Sequence, residues 1–396
     1  MRKIDLPERA GWRARAEELG FTFADMHGEP YWDESSAYEF SLDEIEGGIE
    51  DPATALHAMV REAVAEVVSN DGLMARLGIP EAHRGLVADS WHRGEPEIYG
   101  RFDLAWDGTG DAKLLEYNAD TPTSLYESAS FQWSWLEDQI AAGVLPEGAD
   151  QFNGLHEALV ERFRGLFAPD TDLHFTAVGG NPEDYATVEC MGWAAREAGL
   201  GAHYCDLEKI GLSDEGQFLD DQDRVIGTLF KLYPWEDLLR DDYARHLATA
   251  NCQMLEPAWK AVVSNKGLLP ILWRMFEGHP NLLPAFFADE VVLNGPAVKR
   301  AEAALARGMV EKPLFSREGA GIRIVENGQE TEASPDGGYG GHPRIVQAYH
   351  PLPVMDGFRP VLGAWVVGEA CVGLGIREDR GRITQDLSRF KPHYIR

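Results

Sequence analysis

The chain has 396 residues, more than the ~250–300 at which a single hydrophobic core stops growing, so two or three packed lobes are expected. Its 44% hydrophobic residues, 11 Trp and 26% charged residues exclude a disordered chain or a coiled coil. A formal net charge of −30 argues against a general nucleic-acid binder or a protein held on an anionic membrane. Four separated cysteines (Cys190, Cys205, Cys252, Cys371) predict neither a disulfide framework nor structural zinc. Met1–Glu17 is charged throughout, and no apolar run is long enough to span a bilayer, so a cytoplasmic location is expected.

Apolar residues at helical spacing (Leu56, Met59, Val60, Ala63, Val64, Val67) predict an amphipathic helix over Asp51–Arg76. Ile98–Trp106 alternates, and Lys113–Tyr117 follows the turn Asp107-Gly108-Thr109-Gly110, which predicts a β-hairpin. Thr123–Ala142 carries Leu125, Ala129, Trp133 and Leu136 on one helical stripe. A composition change near Pro169-Asp170 precedes a strand (Leu173–Val178), a turn (Gly179–Pro182), a helix (Asp184–Ala198) and a strand (Gly201–Cys205). That order is a βαβ unit with a parallel sheet. Val225–Tyr233 is a further strand, followed by helices over Trp235–Ala250 and Asn265–Phe276. From Met309 the chain reads as successive strands, Met309–Pro313, Gly321–Val325, Arg344–Tyr349, Pro360–Val367 and Ala370–Ile376, which predict an antiparallel sheet. A mixed protein with an α/β lobe and an α+β lobe is expected, in lobes of about 1–170, 171–255 and 256–396.

Several constellations carry candidate chemistry. Side chains alternate along a strand, so Arg101 and Asp103 share a face, as do Glu116 and Asn118. The simplest hairpin register converges them. Asp, Glu and an amide carbonyl suit magnesium, and Arg101 suits phosphate or carboxylate oxygens, although a solvated polar face with an Arg–Asp pair accounts for the same pattern. Ala119-Asp120-Thr121-Pro122-Thr123-Ser124 follows, small and polar, and opens a helix that makes a cradle for a substrate carboxylate, Thr121 included. Lys312 on a strand, then Ser316–Ile322 with Gly319 and Gly321, can close over phosphates or be an ordinary turn. Lys266, in Ser264-Asn265-Lys266-Gly267, is a second phosphate cation or an exposed residue beside a helix cap. Arg377 precedes Glu378 and Asp379, and a surface ion pair is its ordinary fate. The cysteines sit in apolar contexts, and there is neither histidine spacing for a metal nor a nucleophile-elbow sequence, so covalent catalysis is not expected.

The segments YGRFD (Tyr99–Asp103), LLEYNADTPTS (Leu114–Ser124), FKLYPWE (Phe230–Glu236), EPAWK (Glu256–Lys260), NKGLLPILW (Asn265–Trp273), VEKP (Val310–Pro313) and GIRED (Gly375–Asp379), in that order, resemble the glutathionylspermidine synthase family. The resemblance runs from about Tyr99 to the C-terminus. It implies an ATP-grasp fold in permuted order, with 171–255 as the pre-ATP-grasp-like lobe and 256–396 as the ATP-grasp lobe. It also implies ATP-dependent ligation of a carboxylate to an amine through an acyl-phosphate. Residue by residue, it implies Asp103, Glu116 and Asn118 as magnesium ligands, and Arg101 and Arg377 on the reacting carboxylate and phosphate. Lys266, Lys312, Ser316, Gly319 and Gly321 match the ATP phosphate site, Gln347, Ala348 and Tyr349 the adenine hinge, and Arg382, Ile383 and Thr384 a stretch beside the nucleotide. Glu183 and Asp184 match acids that hold a polyamine. The partners implied are small molecules, a carboxylate donor and an amine acceptor. Two departures stand out. The amidase of two-domain members has neither room nor a Cys–His pair before the synthetase segments, so hydrolytic activity is not expected. Leu232 occupies a position where the well-known synthetases carry a threonine that contacts glutathione. A non-catalytic nucleotide- or partner-binding protein of the same fold is the alternative, against which the retained Arg101, Asp103, Glu116, Asn118, Lys266, Lys312 and Arg377 weigh.

Overall fold

The computed structural model describes residues 1–26, 28–385 and 388–396. Three sheets position the site. The first is five-stranded and antiparallel, in the order Arg389–Lys391, Ala370–Asp379, Arg359–Val367, Tyr99–Ala105, Lys113–Asn118. The predicted hairpin thus continues a C-terminal sheet, pairing along Arg359–Val367 from Leu104↔Leu362 to Tyr99↔Val367. Its turn is closed by the Asp107 side chain, which accepts from the Thr109 N–H at 2.8 Å. The second sheet is parallel, in the order Gln253–Leu255, Thr228–Leu232, Asp172–Ala177, Gly201–Tyr204. Helix Pro182–Glu197, capped by the Asn181 side chain, supplies the crossover of the expected βαβ unit. The third sheet is antiparallel, in the order Ala285–Phe287, Arg344–Ala348, Met309–Pro313, Arg323–Glu326, Gln329–Ala333.

Helix Asp51–Val68 buries Leu56, Val60, Ala63, Val64 and Val67 in the core it shares with the hairpin sheet, and a new helix, Asp71–Arg76, restarts after the Asn70 cap. A second core surrounds the parallel sheet and is rich in aromatics, among them Trp32, Phe131, Trp135 and Phe163. Two further expected helices are interrupted. Trp235–Leu238 is one turn only; the Asp241 side chain then accepts from the Tyr243 N–H, and a 3₁₀ turn spans Asp242–His246. The helix expected from Thr123 begins at Leu125, because Ser124 sits at φ 68°, and it widens into a π-turn over Glu127–Phe131 before Gln132–Ala141. The backbone of Thr121–Thr123 therefore stays outside any helix. Strands Arg2–Asp5, Ser36–Phe40 and His393–Ile395, too short to announce themselves in the sequence, join in a further sheet.

Candidate active site

The hairpin register is Arg101↔Asn118 and Asp103↔Glu116, which places all four polar side chains on one face. Arg101 Nε donates to Asp103 Oδ1 at 2.7 Å, and its Nη1 donates to the Thr123 carbonyl at 2.8 Å. The guanidinium lies over the Trp365 ring, 5.4 Å from its centroid. That course needs Gly363 on the neighbouring strand, since a Cβ there would come within 2.8 Å of Arg101 Cδ. From the strand on the far side, Arg377 Nη2 reaches Asp103 Oδ2 at 3.4 Å. Glu378 points to the opposite face, where Lys3 and Tyr38 hold it, so Arg377 does not form the expected surface pair with it. Asn118 Nδ2 lies 3.2 Å from Asp103 Oδ2 and 3.5 Å from Glu116 Oε1, so a turn of the amide sets its oxygen beside theirs.

Two lysines complete this end. Lys266 Nζ donates to the Ser316 carbonyl at 2.7 Å and stands 3.4 Å from Glu116; Lys312 Nζ donates to the Leu115 carbonyl at 2.8 Å. Burial works to raise the Glu116 carboxyl, but Lys266, Lys312, Arg101 and Arg377 hold it down at about 2. Burial brings the Lys312 ammonium down to about 8, against the pull of Glu116. Gln347 Nε2 donates to the Leu114 carbonyl at 2.9 Å, tying the third sheet to the hairpin. The N–H groups of Ala348 and Tyr349 are engaged by the carbonyls of Pro284 and Gly308. Arg382 is fixed by Glu326 at 2.6 Å and Glu332 at 2.7 Å. In the loop, Gly319 has φ 69°, and a Cβ there would collide with the Thr384 carbonyl, so loop and C-terminal stretch touch through backbone.

The opposite wall is acidic. Lys231 and Asp120 form a buried pair at 2.6 Å, and the second Asp120 oxygen accepts from the Trp235 N–H at 2.7 Å. This fastens the Ala119–Ser124 stretch to the parallel sheet and sets Thr121, Leu232 and Glu236 along the same cavity. Asp184, in the first turn of helix Pro182–Glu197, is pushed up to about 6 by burial and then by Glu183, while Arg317 pulls it back. Glu127, in the π-turn, is pushed up to about 8 by burial and then by Glu183, and Tyr31 Oη donates to it at 2.7 Å.

All the residues singled out in the sequence line one cavity of about 300 Å³, except Glu183, one step along the helix from Asp184, and Gly321, beside Ile322 in the loop wall. The sequence reading missed Ser264, Glu236 and Arg317 as individuals, though all three lie within motifs it quoted. The hydroxyls of Ser264 and Ser316 are buried, have no hydrogen-bond partner, and belong to the cavity wall. Orphaned donors beside two lysines suit phosphate oxygens, and two carboxylates with an amide suit a hard cation shared with them. Among the described residues no group of three or more His, Cys, Asp and Glu side chains forms a metal site. No described helix is long and apolar enough to cross a membrane. The cysteines are free; burial raises all four thiols, Cys252 and Cys371 to about 12.

Comparison with known proteins extends the resemblance to the N-terminus. The family described as glutathionylspermidine synthase preATP-grasp matches residues 3–396. A Haemophilus influenzae protein, provisionally named an acid–amine ligase, is 37% identical over 406 residues, covering 100% of this chain and 99% of its own. Trypanothione synthetase of Crithidia fasciculata is 28% identical over 84% of this chain, and the bifunctional glutathionylspermidine synthetase/amidase of Escherichia coli is 25% identical over 96%. The chain spans 52% and 63% of the length of those two proteins. A glutathione synthetase-like effector from Globodera pallida superposes with a TM-score of 0.55 at 11% identity, over 91% of this chain and 89% of that one. This last likeness speaks for the fold alone, and the fold is the expected mixed α/β ATP-grasp. By sequence along its whole length, the chain belongs to the glutathionylspermidine synthase family.

Proposed function

We propose that the chain is an ATP-dependent carboxylate–amine ligase that forms an amide through an acyl-phosphate, with a peptide or amino-acid acyl donor and an amine, polyamines included, as acceptor. The observation that carries this reading is the shared face on which Arg101, Asp103, Glu116, Asn118 and Arg377 meet beside Lys266 and Lys312. In a protein of net charge −30, that concentration of cations favours a polyanion at one place.

Asp103, Glu116 and Asn118 would hold magnesium, which supplies neutralising charge for phosphate oxygens when bound. Lys266 and Lys312 bind and orient the phosphate chain, with the hydroxyls of Ser264 and Ser316 as further donors. Arg101 and Arg377 stand on either side of Asp103 and stabilise charge on the transferring phosphoryl group, then on the oxyanion formed as the amine attacks the acyl carbon and phosphate leaves. The loop from Ser316 to Ile322 shields the reacting groups from water. Asp184 and Glu183 attract the cationic acceptor. No side chain forms a covalent bond in this scheme, in keeping with four thiols whose ionisation burial disfavours.

The test is ADP release with a panel of carboxylic acids and primary amines, with the ligated product read by mass. Release is expected only when an acid and an amine are both present. Asp103→Asn should lower it at least ~100-fold while the circular dichroism stays unchanged. Near-normal release by that variant, or release indifferent to every acid and amine, would overturn the ligase reading.

A further inference from the structure

Glu236 sits on the acidic wall of the cavity with its two oxygens unequally served. Oε1 accepts from Arg317 Nη2 at 3.2 Å, while Oε2 is buried and has no hydrogen-bond partner. The Glu236 side chain is only 13% exposed, whereas its partner Arg317 is 42% exposed. Charge-assisted pairs commonly close to about 2.7–2.9 Å and often engage both oxygens, as Arg101 does with Asp103 through Nε and Nη2 elsewhere in the cavity wall. The Arg317 contact is single and long by that standard. Burial raises the Glu236 carboxyl above its usual range, and Arg317 only partly offsets this. A shielded carboxylate oxygen without a donor is costly, and the atom that satisfies it must carry N–H or O–H.

Arg317 belongs to the loop whose first carbonyl, at Ser316, is held by Lys266. It also lies within the field of Asp120 and Asp237, and Asp184 feels its charge. One guanidinium is thus shared among several acids, Glu236, Asp120, Asp237 and Asp184.

We infer that Glu236 is a subsite for a primary ammonium group of a substrate, and that Arg317 occupies it as a placeholder when that substrate is absent. An ammonium presents three donors on a compact head. It reaches both oxygens of Glu236 where the loop-borne guanidinium reaches one. Its arrival frees Arg317 from the wall, so that filling the acidic end loosens the ion pair that joins the loop to Glu236. Two substrate classes carry such a group: a polyamine acceptor, and an amino-acid or peptide donor through its α-ammonium. The inference rests on the ligase reading for these two classes.

Binding of spermidine and of glutathione, each without nucleotide, separates the sources and does not depend on turnover. Calorimetry on wild type, Glu236→Gln, Arg317→Gln and the double variant is the measurement. For the probe that uses the subsite, Glu236→Gln should weaken binding roughly tenfold or more, because a charged acceptor becomes a neutral amide. Arg317→Gln should tighten binding about threefold to tenfold, because the competing cation is gone, and the double variant should show no such gain. A spermidine response assigns the acceptor, and a glutathione response the donor. If neither probe binds, or if the two single substitutions shift affinity in the same direction, Glu236 is not an ammonium subsite. Opposite shifts alongside a failed ADP-release panel would keep the subsite and discard the ligase reading; the reverse result would do the opposite.

Discussion

The two ends of the cavity meet the same burial penalty with opposite outcomes. At the hairpin, Glu116 is surrounded by Lys266, Lys312, Arg101 and Arg377 and is held down at about 2. At the helix Pro182–Glu197, Asp184 has Glu183 beside it and one shared arginine, and rises to about 6. A carboxylate among surplus cations stays ionised and suits a metal with its phosphates. A carboxylate among other acids is short of cations and suits an incoming one. One chain of strongly negative charge thus builds a cation-rich end and an acid-rich end, by choosing which few positive residues go where.

The largest expected effect comes from removing a cation from the acidic end. Lys231→Met leaves Asp120 buried without its ion pair, and should lower the unfolding free energy by roughly 3–5 kcal/mol in urea titration. A change under ~1 kcal/mol would mean that the acidic wall does not depend on its buried lysine. Next, Glu183→Gln combined with Asp184→Asn should raise the Michaelis constant for spermidine roughly ten- to a hundredfold. That for ATP should stay nearly unchanged, and the effect should shrink at high salt. Equal constants with every amine tested would remove the polyamine from the assignment. A third prediction concerns pH. The folded-state pKa of Asp184 is raised, so its contribution to stability is fully present below its unfolded value of 3.8 and is lost as pH rises through about 6. Because the group is partly exposed, Asp184→Asn should gain only about 1 kcal/mol over wild type at pH 7, and nothing near pH 3.5, in paired denaturation curves. A gain that grows toward acid would reverse the comparison. The smallest effect is expected at the loop. Trypsin cleavage after Arg317 should slow by a few fold when ATP and magnesium are added, as contacts at the phosphate end order Ser316–Ile322. Identical rates with and without nucleotide would leave that end without a moving part.

The hairpin patch was legible because strand alternation is a short-range rule: Arg101, Asp103, Glu116 and Asn118 had to share a face once the turn at Asp107 was read. The partners were not legible. Nothing near Arg377 in sequence says that it turns to Asp103 and leaves Glu378 to Lys3 and Tyr38; that follows from strand pairing across more than 250 residues. The hairpin looked like an N-terminal feature, yet it completes a C-terminal sheet. Helix Trp235–Ala250 failed because Asp241, a good cap, was read as a helix residue. Ser124 could not be seen to adopt a left-handed conformation, and with it went the start of the next helix. Glu236 and Arg317 stood in quoted motifs, but only the fold shows one carboxylate oxygen left without a donor.

Arg101 and Arg377 rise from strands that flank Arg359–Val367 and pair there with Trp365 and Val361, so their backbones stand two interstrand steps apart across the sheet and four residues apart along it, roughly 16 Å. Sheet geometry acts here as a ruler. Substitutions can change what an arginine touches, but no point mutation alters the spacing of strands in a hydrogen-bonded ladder. The separation of the two arginine backbones is therefore inherited with the fold. In the parallel-sheet wall only Leu232 lies in a ladder, while Thr121, Glu236 and Asp184 stand on a loop, a helical turn and a helix start. A lineage that exchanges one substrate for another should accordingly keep its arginine spacing and rewrite that wall, and Leu232 marks one place where rewriting requires only a single side chain.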